Sequence, residues 1–382
     1  MRYRRQATLA AALSLATGCA MHRGAFEPGL AAPATERVAI AIVGGAGAVG
    51  PAATPTATAL HDALAPHARA TVLLLGDFTP HRRAHRGRRV DPSDAPAPVT
   101  AAALGLRGAQ VFALAGDAEL GVAARNPATR DAAVVRIAAD GTARVISSCD
   151  VARCRIDGDG DGGVVELVLL DLQPWTRDRG RQADAAVARS LTLLDALATT
   201  PSSTPRVLAL YLPVEGAFEH GLGSNHDPSA IFHRLPEVLQ RALQSGMFAG
   251  VVAGGERSLY VQPDLAAPIA RSDRVFLERP LWQVVSGNAA APRRGRIALR
   301  SAWVRGVGYR PPVATSEPGF AVLELGGEAP PRVRLYARRH RHWLTTTVPL
   351  PIAAREGDQA PRTMPNMTPC MRCVDVPVNE RP

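Results

Sequence analysis

A chain of 382 residues with 46% apolar side chains can hold one large α/β unit or two domains, and it has enough apolar residues to form a core. All 44 basic residues are arginine, so arginine alone supplies the positive side of the net charge of +10. We discount this skew as a sign of nucleic-acid binding, because aromatic residues do not alternate with the basic ones and no recognition motif is present.

The N-terminus has the layout of an export signal. Arg2, Arg4 and Arg5 precede a short apolar stretch at 7–16, which is too short to span a membrane. The following Ala-Thr-Gly-Cys ends at Cys19 and resembles a bacterial lipoprotein box. We therefore predict a lipoprotein signal at 1–19, lipidation of Cys19 and an outer-membrane location in the cell envelope. A plain signal peptide with a chance cysteine is the alternative.

Residues 20–36 are rich in glycine, alanine and proline, and we predict a flexible spacer there. A main domain at 37–353 follows. Its apolar runs predict strands and its 3.6-residue periodicity predicts helices. The expected strands are 38–43, 71–75, 111–115, 164–171, 207–213, 250–253, 282–286, 319–325 and 332–336. The expected helices are 57–65, 100–106, 181–199 and 235–245, and Asp140-Gly141 marks a hairpin.

The cysteines pair locally. Cys149 and Cys154 flank a short loop, and Cys370 and Cys373 form C-x-x-C in a proline-rich tail at 354–382. In an exported chain these pairs favour disulfides over a zinc half-site or a redox pair. The run of alternating Asp and Gly at 157–162 resembles a calcium loop, but Val168 stands where the acidic ligand at position 12 should be, so we predict a turn.

Several strand ends carry motifs of one family. YLPVEGAFEHG at 211–221 is similar to H-[HY]-P-V-x-S-x-x-E-H-G, and AGGERSLYVQ at 253–262 is similar to a G-H-D-H-N-L-Q segment. With Gly76-Asp77 and Ser286-Gly287, these segments occur in the order found in calcineurin-like metallophosphoesterases. The closest branch is that of the tartrate-resistant (purple) acid phosphatases. The resemblance covers about 37–337 and implies an α/β fold, a four-layer αββα sandwich with its loops at one edge.

The family uses two metal ions to activate water and hold phosphate. Carried over by position, that resemblance implies that most ligands are substituted here. A ligand aspartate is Gly45, a tyrosine is Pro80, a catalytic histidine is Ala118, and three further histidines are Tyr211, Gly255 and Arg257. Asp77 is retained, and Asp117 stands where the family has asparagine. We expect no metal, no cofactor and no catalytic residue, with Asp77 and Asp117 as remnants of the metal site.

These substitutions predict a catalytically inactive pseudophosphoesterase that is anchored to the membrane through Cys19 and serves in binding or scaffolding. His220 and Arg257 are candidate anion-binding residues, so a phosphate-bearing ligand or an envelope protein is the expected partner. One alternative is a weak metal-dependent phosphoesterase that uses Asp77, Asp117, Glu119 and His220. In another, a metal site is rebuilt from His81, His85, His226 and His233.

Overall fold

The computed structural model describes the parts of the chain that form the sandwich. The described residues are 26–30, 37–45, 55–67, 69–76, 108–116, 132–157, 163–172, 181–214, 235–255, 258–265, 279–287, 289, 313–315, 317–326, 330–339 and 341–351. The chain divides into a unit of Met1–Ile352 and a second unit of Ala353–Pro382, which lies outside the described residues. The main unit is described below.

The described strands are β1 (Glu27–Pro28), β2 (Val38–Val43), β3 (Thr71–Leu75), β4 (Gln110–Leu114), β5 (Ala132–Ala138), β6 (Ala143–Val145), β7 (Ser147–Cys149), β8 (Cys154–Ile156), β9 (Gly163–Leu170), β10 (Arg206–Leu210), β11 (Gly250–Ala253), β12 (Leu259–Gln262), β13 (Trp282–Ser286), β14 (Val313–Thr315), β15 (Gly319–Leu325), β16 (Arg332–Arg339) and β17 (His342–Pro349). The described helices are α1 (Pro55–Leu64), α2 (Arg181–Thr199) and α3 (Glu237–Gln244).

These strands form two mixed sheets. The first has the order β1-β17-β16-β15-β2-β3-β4, with β2, β3 and β4 parallel and the others antiparallel. The second has the order β14-β12-β13-β11-β10-β9-β5-β6, with β9, β10, β11 and β13 parallel. Parallel strands are joined by crossover connections that pack against a face of the sheet. The helices therefore cover the outer face of each parallel block.

Side chains of successive strand residues point to opposite faces of each sheet. They form three apolar layers, one between the two sheets and one between each sheet and its helices. Leu73 and Leu75 of β3 face the second sheet, whereas Val72 and Leu74 face Leu60 of α1. On the other side, the outward residues of β9 pack with leucines of α2 and α3. Each leucine buried in this way stabilises the fold by about 1.5–3 kcal/mol. The predicted four-layer αββα sandwich is confirmed.

Most predicted elements are confirmed to within a few residues, including the hairpin turn at Asp140-Gly141 between β5 and β6. β12, β14 and β17 were not among the predicted strands, although β17 carries the β-branched run Thr345-Thr346-Thr347-Val348, which was a readable signal. The helix predicted at 100–106 lies outside the described residues.

Residues 27 and 28, within the predicted spacer at 20–36, pair with the first sheet. β1 pairs with β17, placing Glu27 opposite Thr345 and Pro28 opposite Leu344. Gly29 N–H donates to the carbonyl of Trp343 at 2.9 Å, and the Thr345 hydroxyl donates to the Gly29 carbonyl. Phe26 packs against the core between the sheets. No local sequence pattern predicts this strand, because its partner lies more than 300 residues away in the chain.

Cys149 and Cys154 form the predicted disulfide, which joins β7 to β8 in a separate two-stranded ribbon. Both half-buried cysteines pack against the apolar layer that contains α2. Cys370 and Cys373, and the predicted export signal at 1–19 with Cys19, lie outside the described residues. No helix in the described part of the chain is long and apolar enough to cross a membrane.

Candidate functional site

The strand ends that precede the family motifs lie at one end of the sandwich, as the family resemblance implies. β2, β3 and β4 of the first sheet and β10, β11 and β13 of the second all finish there. We call this end, defined by Gly44, Gly76, Gly116, Tyr211 and Gly254, the site end. The opposite end, where those strands begin, is the far end. Ligands of open α/β sheets bind at the carboxyl ends of the strands, so the site end is the place to look for chemistry.

At the site end the two sheets approach each other backbone to backbone. A β-carbon on Gly44 would lie 2.3 Å from the Ser286 carbonyl oxygen and 2.5 Å from Gly254 Cα. Ala289 N–H also donates to the carbonyl of Gly44 at 3.0 Å. No side chain fits between these loops without moving main-chain atoms. The main chain at the end of β2 therefore lies in direct contact with the main chain at the end of β11.

Tyr211, where the resemblance predicts that a histidine ligand is replaced, lies directly after β10. Its side chain is buried, and its ring covers Gly76, whose φ is +80°. A β-carbon at position 76 would be 2.1 Å from Tyr211 Cδ2 and 2.8 Å from Gly116 Cα. The ring therefore lies in contact with the ends of β3 and β4, next to the loops that hold metal in the family.

The backbone of Tyr211 also fixes the loop after β11. Its carbonyl oxygen accepts N–H bonds from Gly254 at 3.1 Å and Gly255 at 2.5 Å. A β-carbon on Gly255 would lie 2.6 Å from that oxygen. The histidine that the family has at this position cannot be built here unless the main chain shifts.

Gly45, where the resemblance predicts that a ligand aspartate is replaced, follows β2. Its N–H donates to the Gly76 carbonyl at 3.0 Å, so backbone atoms again link two neighbouring strand ends. Across the described family positions Gly45, Tyr211 and Gly255, a single side chain offers a donor atom. Within the described ranges, no group of three or more His, Cys, Asp or Glu residues is arranged to hold a metal ion. A two-metal centre needs several carboxylate and imidazole ligands, and the three described positions supply none.

The remaining predicted site residues lie outside the described residues. They are Asp77, Asp117, Ala118, Glu119, His220 and Arg257, together with His81, His85, His226 and His233. Their predicted roles stay predictions. Asp157, which opens the predicted turn, is described: it lies within 3.2 Å of Arg144 Nη2, in an exposed pair at the start of that turn.

A basic hairpin tip lies at the site end and was not among the predicted site features. β16 runs toward the site end and β17 runs away from it, because Gly319 of β15 pairs with Ala337 and β15 is antiparallel to β2. Arg339, Arg341 and His342 are exposed at the connecting turn, and Arg338 is half-buried. The run RRHRH at 338–342 was the sequence signal for this tip. Only the order of the strands in the sheet shows that the run lies at the site end.

The buried charges of the described structure belong to its framework. The Glu166 carboxylate on β9 is within 2.7 Å of Arg136 Nη2 and 3.0 Å of Arg206 Nε. Glu324 on β15 pairs with Arg332 and, at 3.1 Å, with Arg334. Both carboxylates lie near the far end, away from the site loops, and their partners are neighbouring strand residues. Such pairs fix how strands pack and need not mark a reaction centre.

No protein-family profile matches the chain, and no curated protein matches it in sequence. Solved structures similar to it include GAP50, described as the anchor in the inner membrane complex of Plasmodium, at 10% identity and a TM-score of 0.47. That match covers 84% of this chain and 90% of the other. Another is purple acid phosphatase PPD1 from yellow lupin (Lupinus luteus) seeds, at 12% identity and a TM-score of 0.47, covering 84% of this chain and 55% of that one. These values concern the course of the backbone and assign no activity or partner to this chain.

Proposed function

We propose that this protein is a lipid-anchored protein of the cell envelope whose phosphoesterase-like domain, residues 37–353, is catalytically inactive. The domain serves in binding or scaffolding, and the anchor is a lipidated Cys19. The observation that carries the proposal is the closure of the site end. The ring of Tyr211 covers Gly76, and its carbonyl oxygen would lie 2.6 Å from a β-carbon on Gly255.

Two hydrogen bonds between main-chain atoms support the loss of metal chemistry. Catalysis in this family needs a water-filled space between strand ends in which two cations a few Å apart can be held. Here the described strand ends are joined by backbone hydrogen bonds between Gly45 and Gly76 and between Tyr211 and Gly255. The contacts between these strand ends also disfavour a metal site rebuilt from other histidines, because such a site would need the same space between the strand ends.

The ligand is expected to be anionic. The hairpin tip at the site end exposes Arg339, Arg341 and His342, and the sequence motif that follows β11 contains Arg257. Arginine binds phosphate and carboxylate oxygens through paired N–H donors, and this requires no metal. A phosphate-bearing ligand or an acidic envelope protein fits this chemistry.

The proposal is tested by metal analysis of the full chain purified from a metal-replete medium. We expect no stoichiometric iron, manganese or zinc, and hydrolysis of an aryl phosphate no faster than in an Asp77→Ala variant. Two bound equivalents of transition metal, with hydrolysis that Asp77→Ala abolishes, would instead establish the alternative of a metal-dependent phosphoesterase. In that case Asp117, Glu119 and His220 become the next residues to substitute.

A further inference from the structure

The basic hairpin tip extends past the strand that lies next to it. β16 and β17 stay paired as far as Arg339 and His342, so both strands continue into the tip. The neighbouring strand β15 begins at Gly319, which pairs with Ala337. In the described part of the chain, no strand therefore accompanies residues 339–342 on the β15 side. The side chains of Arg339, Arg341 and His342 are exposed at this corner of the site end.

The positive charge of the tip is not neutralised by the described residues. Glu27 and Glu317 are the acidic residues of the adjoining described segments, and neither forms an ion pair with the tip. The exposed arginines of the β7–β8 ribbon differ, because each lies within 4.0 Å of an aspartate. An uncompensated cluster of this kind attracts an anionic partner. Its arginines are Arg338, Arg339 and Arg341.

Apolar side chains lie beside these cations. Trp343 is half-buried and pairs in register with Arg338, and its ring meets the ring of Phe320 edge-on with the centroids 5.8 Å apart. The Gly29 N–H donates to the Trp343 carbonyl at 2.9 Å, and the next residue, Leu30, is exposed. Tryptophan is enriched where a membrane meets water, because its ring is apolar and its N–H is polar. The tip thus combines cations with side chains suited to a lipid headgroup region.

The directions of the cationic side chains favour a broad anionic surface over a single small anion. Successive strand residues point to opposite faces, so Arg338 and Arg339 diverge. Arg338 lies opposite Trp343 and Arg339 lies opposite His342, and each face of the hairpin thus carries one of these pairs. A small anion is held by donors that converge on it. Long arginine side chains from both faces can instead reach one plane beyond the tip.

We propose that the tip, together with Trp343 and Leu30, docks on an anionic phospholipid surface. The guanidinium groups bind lipid phosphates, while Trp343 and Leu30 lie at the level of the headgroups. An acidic protein is the less favoured partner, because a stable protein interface needs about 800 Å² of complementary surface on each partner. A fluid lipid surface has no such requirement. This inference rests on the proposed function and names the source of its phosphate-bearing ligand.

The docking surface would act alongside the proposed anchor. A basic patch and an acyl chain together hold a protein at a membrane more firmly than one acyl chain does. The tip needs no lipid on Cys19 in order to bind, so its own contribution can be measured with the lipid removed.

The experiment measures binding of the full chain to phospholipid vesicles by flotation. The chain carries Cys19→Ser, so no lipid is attached there, and the vesicles are phosphatidylcholine with or without phosphatidylglycerol. We expect phosphatidylglycerol to increase binding and salt to weaken it, because salt screens exposed charges. Arg339→Gln with Arg341→Gln should lower the partition coefficient about 25-fold, since each arginine near an anionic membrane contributes roughly fivefold.

The control variant removes the same charge elsewhere. Arg153 and Arg155 are exposed on the β7–β8 ribbon, which packs on the helix layer of the second sheet. Changing both to glutamine should lower vesicle binding by no more than about twofold, because charges that do not reach the membrane are screened. Brominated acyl chains should quench the tryptophan fluorescence of the Cys19→Ser chain, and should quench it less when Trp343→Phe is added. Circular dichroism checks that each variant is folded.

Four results would overturn the proposal. They are binding that does not depend on phosphatidylglycerol, equal losses in the two double variants, quenching that Trp343→Phe leaves unchanged, and loss of binding when inorganic phosphate is added at constant ionic strength. The last would assign the tip to a small anion. Tighter binding to polyglutamate than to the vesicles would also overturn it, in favour of an acidic protein. The mass of the N-terminal peptide of the natural chain reports lipidation separately, so a missing anchor is distinguished from a tip that does not bind lipid.

Discussion

The ring of Tyr211 lies against Gly76 so closely that a β-carbon at position 76 would be 2.1 Å from Tyr211 Cδ2. This contact joins the end of a strand in the second sheet to the end of a strand in the first. It forms where the family resemblance implies a metal-binding histidine on one side and a ligand loop on the other. Tyr211 thus packs the end of β10 against the end of β3.

The first prediction concerns this contact. Gly76→Ala should lower the free energy of unfolding through two effects. The left-handed backbone at φ +80° costs an L-residue about 1–2 kcal/mol, and the clash with the Tyr211 ring adds about 1–3 kcal/mol. Gly108→Ala is the matched control, since Gly108 has φ +84° but nothing within 4 Å of its β-carbon position. Urea denaturation of both variants should show the larger loss for Gly76→Ala, and equal losses would contradict the packing described.

The second prediction concerns metal binding. Restoring three family residues together, with Gly45→Asp, Tyr211→His and Gly255→His, should not create a metal centre. The obstacle is the backbone carbonyl of residue 211, which stays 2.6 Å from the new β-carbon at position 255 whichever side chain residue 211 carries. Elemental analysis checks this against a variant with Gly45→Ala, Tyr211→Phe and Gly255→Ala, which makes a similar steric change without donors. Stoichiometric metal in the first variant alone would show that the loops open readily.

The third prediction concerns the buried carboxylate Glu166. Arg206 pairs with it at 3.0 Å and also donates to the carbonyls of Leu197 and Thr200 at the C-terminal end of α2. Arg206→Met should destabilise the fold by about 3–5 kcal/mol, because it removes one partner of a buried pair and leaves helix carbonyls unpaired. The control is Arg241→Met in the exposed Arg241–Glu237 pair of α3, which should cost about 0.5 kcal/mol or less. Thermal and urea unfolding of the two variants give the comparison, and similar costs would refute the role assigned to Arg206.

The fourth prediction concerns pH. Burial lowers the pKa of His67 from its ordinary value of 6.5, and this outweighs the opposing effects of a hydrogen bond to the Arg37 backbone and of the Glu324 carboxylate. A histidine whose pKa is lower in the folded state binds more protons when unfolded. Stability should therefore be full above pH 6.5 and fall as the pH drops below it.

The measurement is the free energy of unfolding at pH 7.5 and pH 5, compared between the unmodified chain and His67→Gln. The variant should lose less stability on acidification. His61→Gln, at an exposed position in α1, should behave as the unmodified chain does. At lower pH the carboxyls of Asp140 and Asp150 add a separate loss, because hydrogen bonds from Thr142 and from the Ala152 backbone lower their pKa values. A His67→Gln variant as sensitive as the unmodified chain would exclude His67 as the group responsible.

The sequence by itself determined the sandwich, because its signals are local. Five-residue apolar runs such as Thr71–Leu75 are buried on both faces in the structure, and the helical spacing of Arg181–Thr199 matches α2 residue for residue. The family motifs also assigned the strand ends to one edge. The substituted positions Gly45, Tyr211 and Gly255 were readable from those motifs alone.

Tertiary structure decided what the substitutions do. The family resemblance predicts that Tyr211 replaces a histidine, but the packing of its ring on Gly76 and the contact of its carbonyl with Gly255 depend on the assembled sheets. The pairing of β1 with β17 likewise joins Glu27 to Thr345, a contact between residues too far apart in the chain for any local pattern to predict. Local patterns report the preferences of neighbouring residues. The contacts of Tyr211 at the site end and the pairing of β1 with β17 both arise from long-range contacts, which form only when the whole sandwich is assembled.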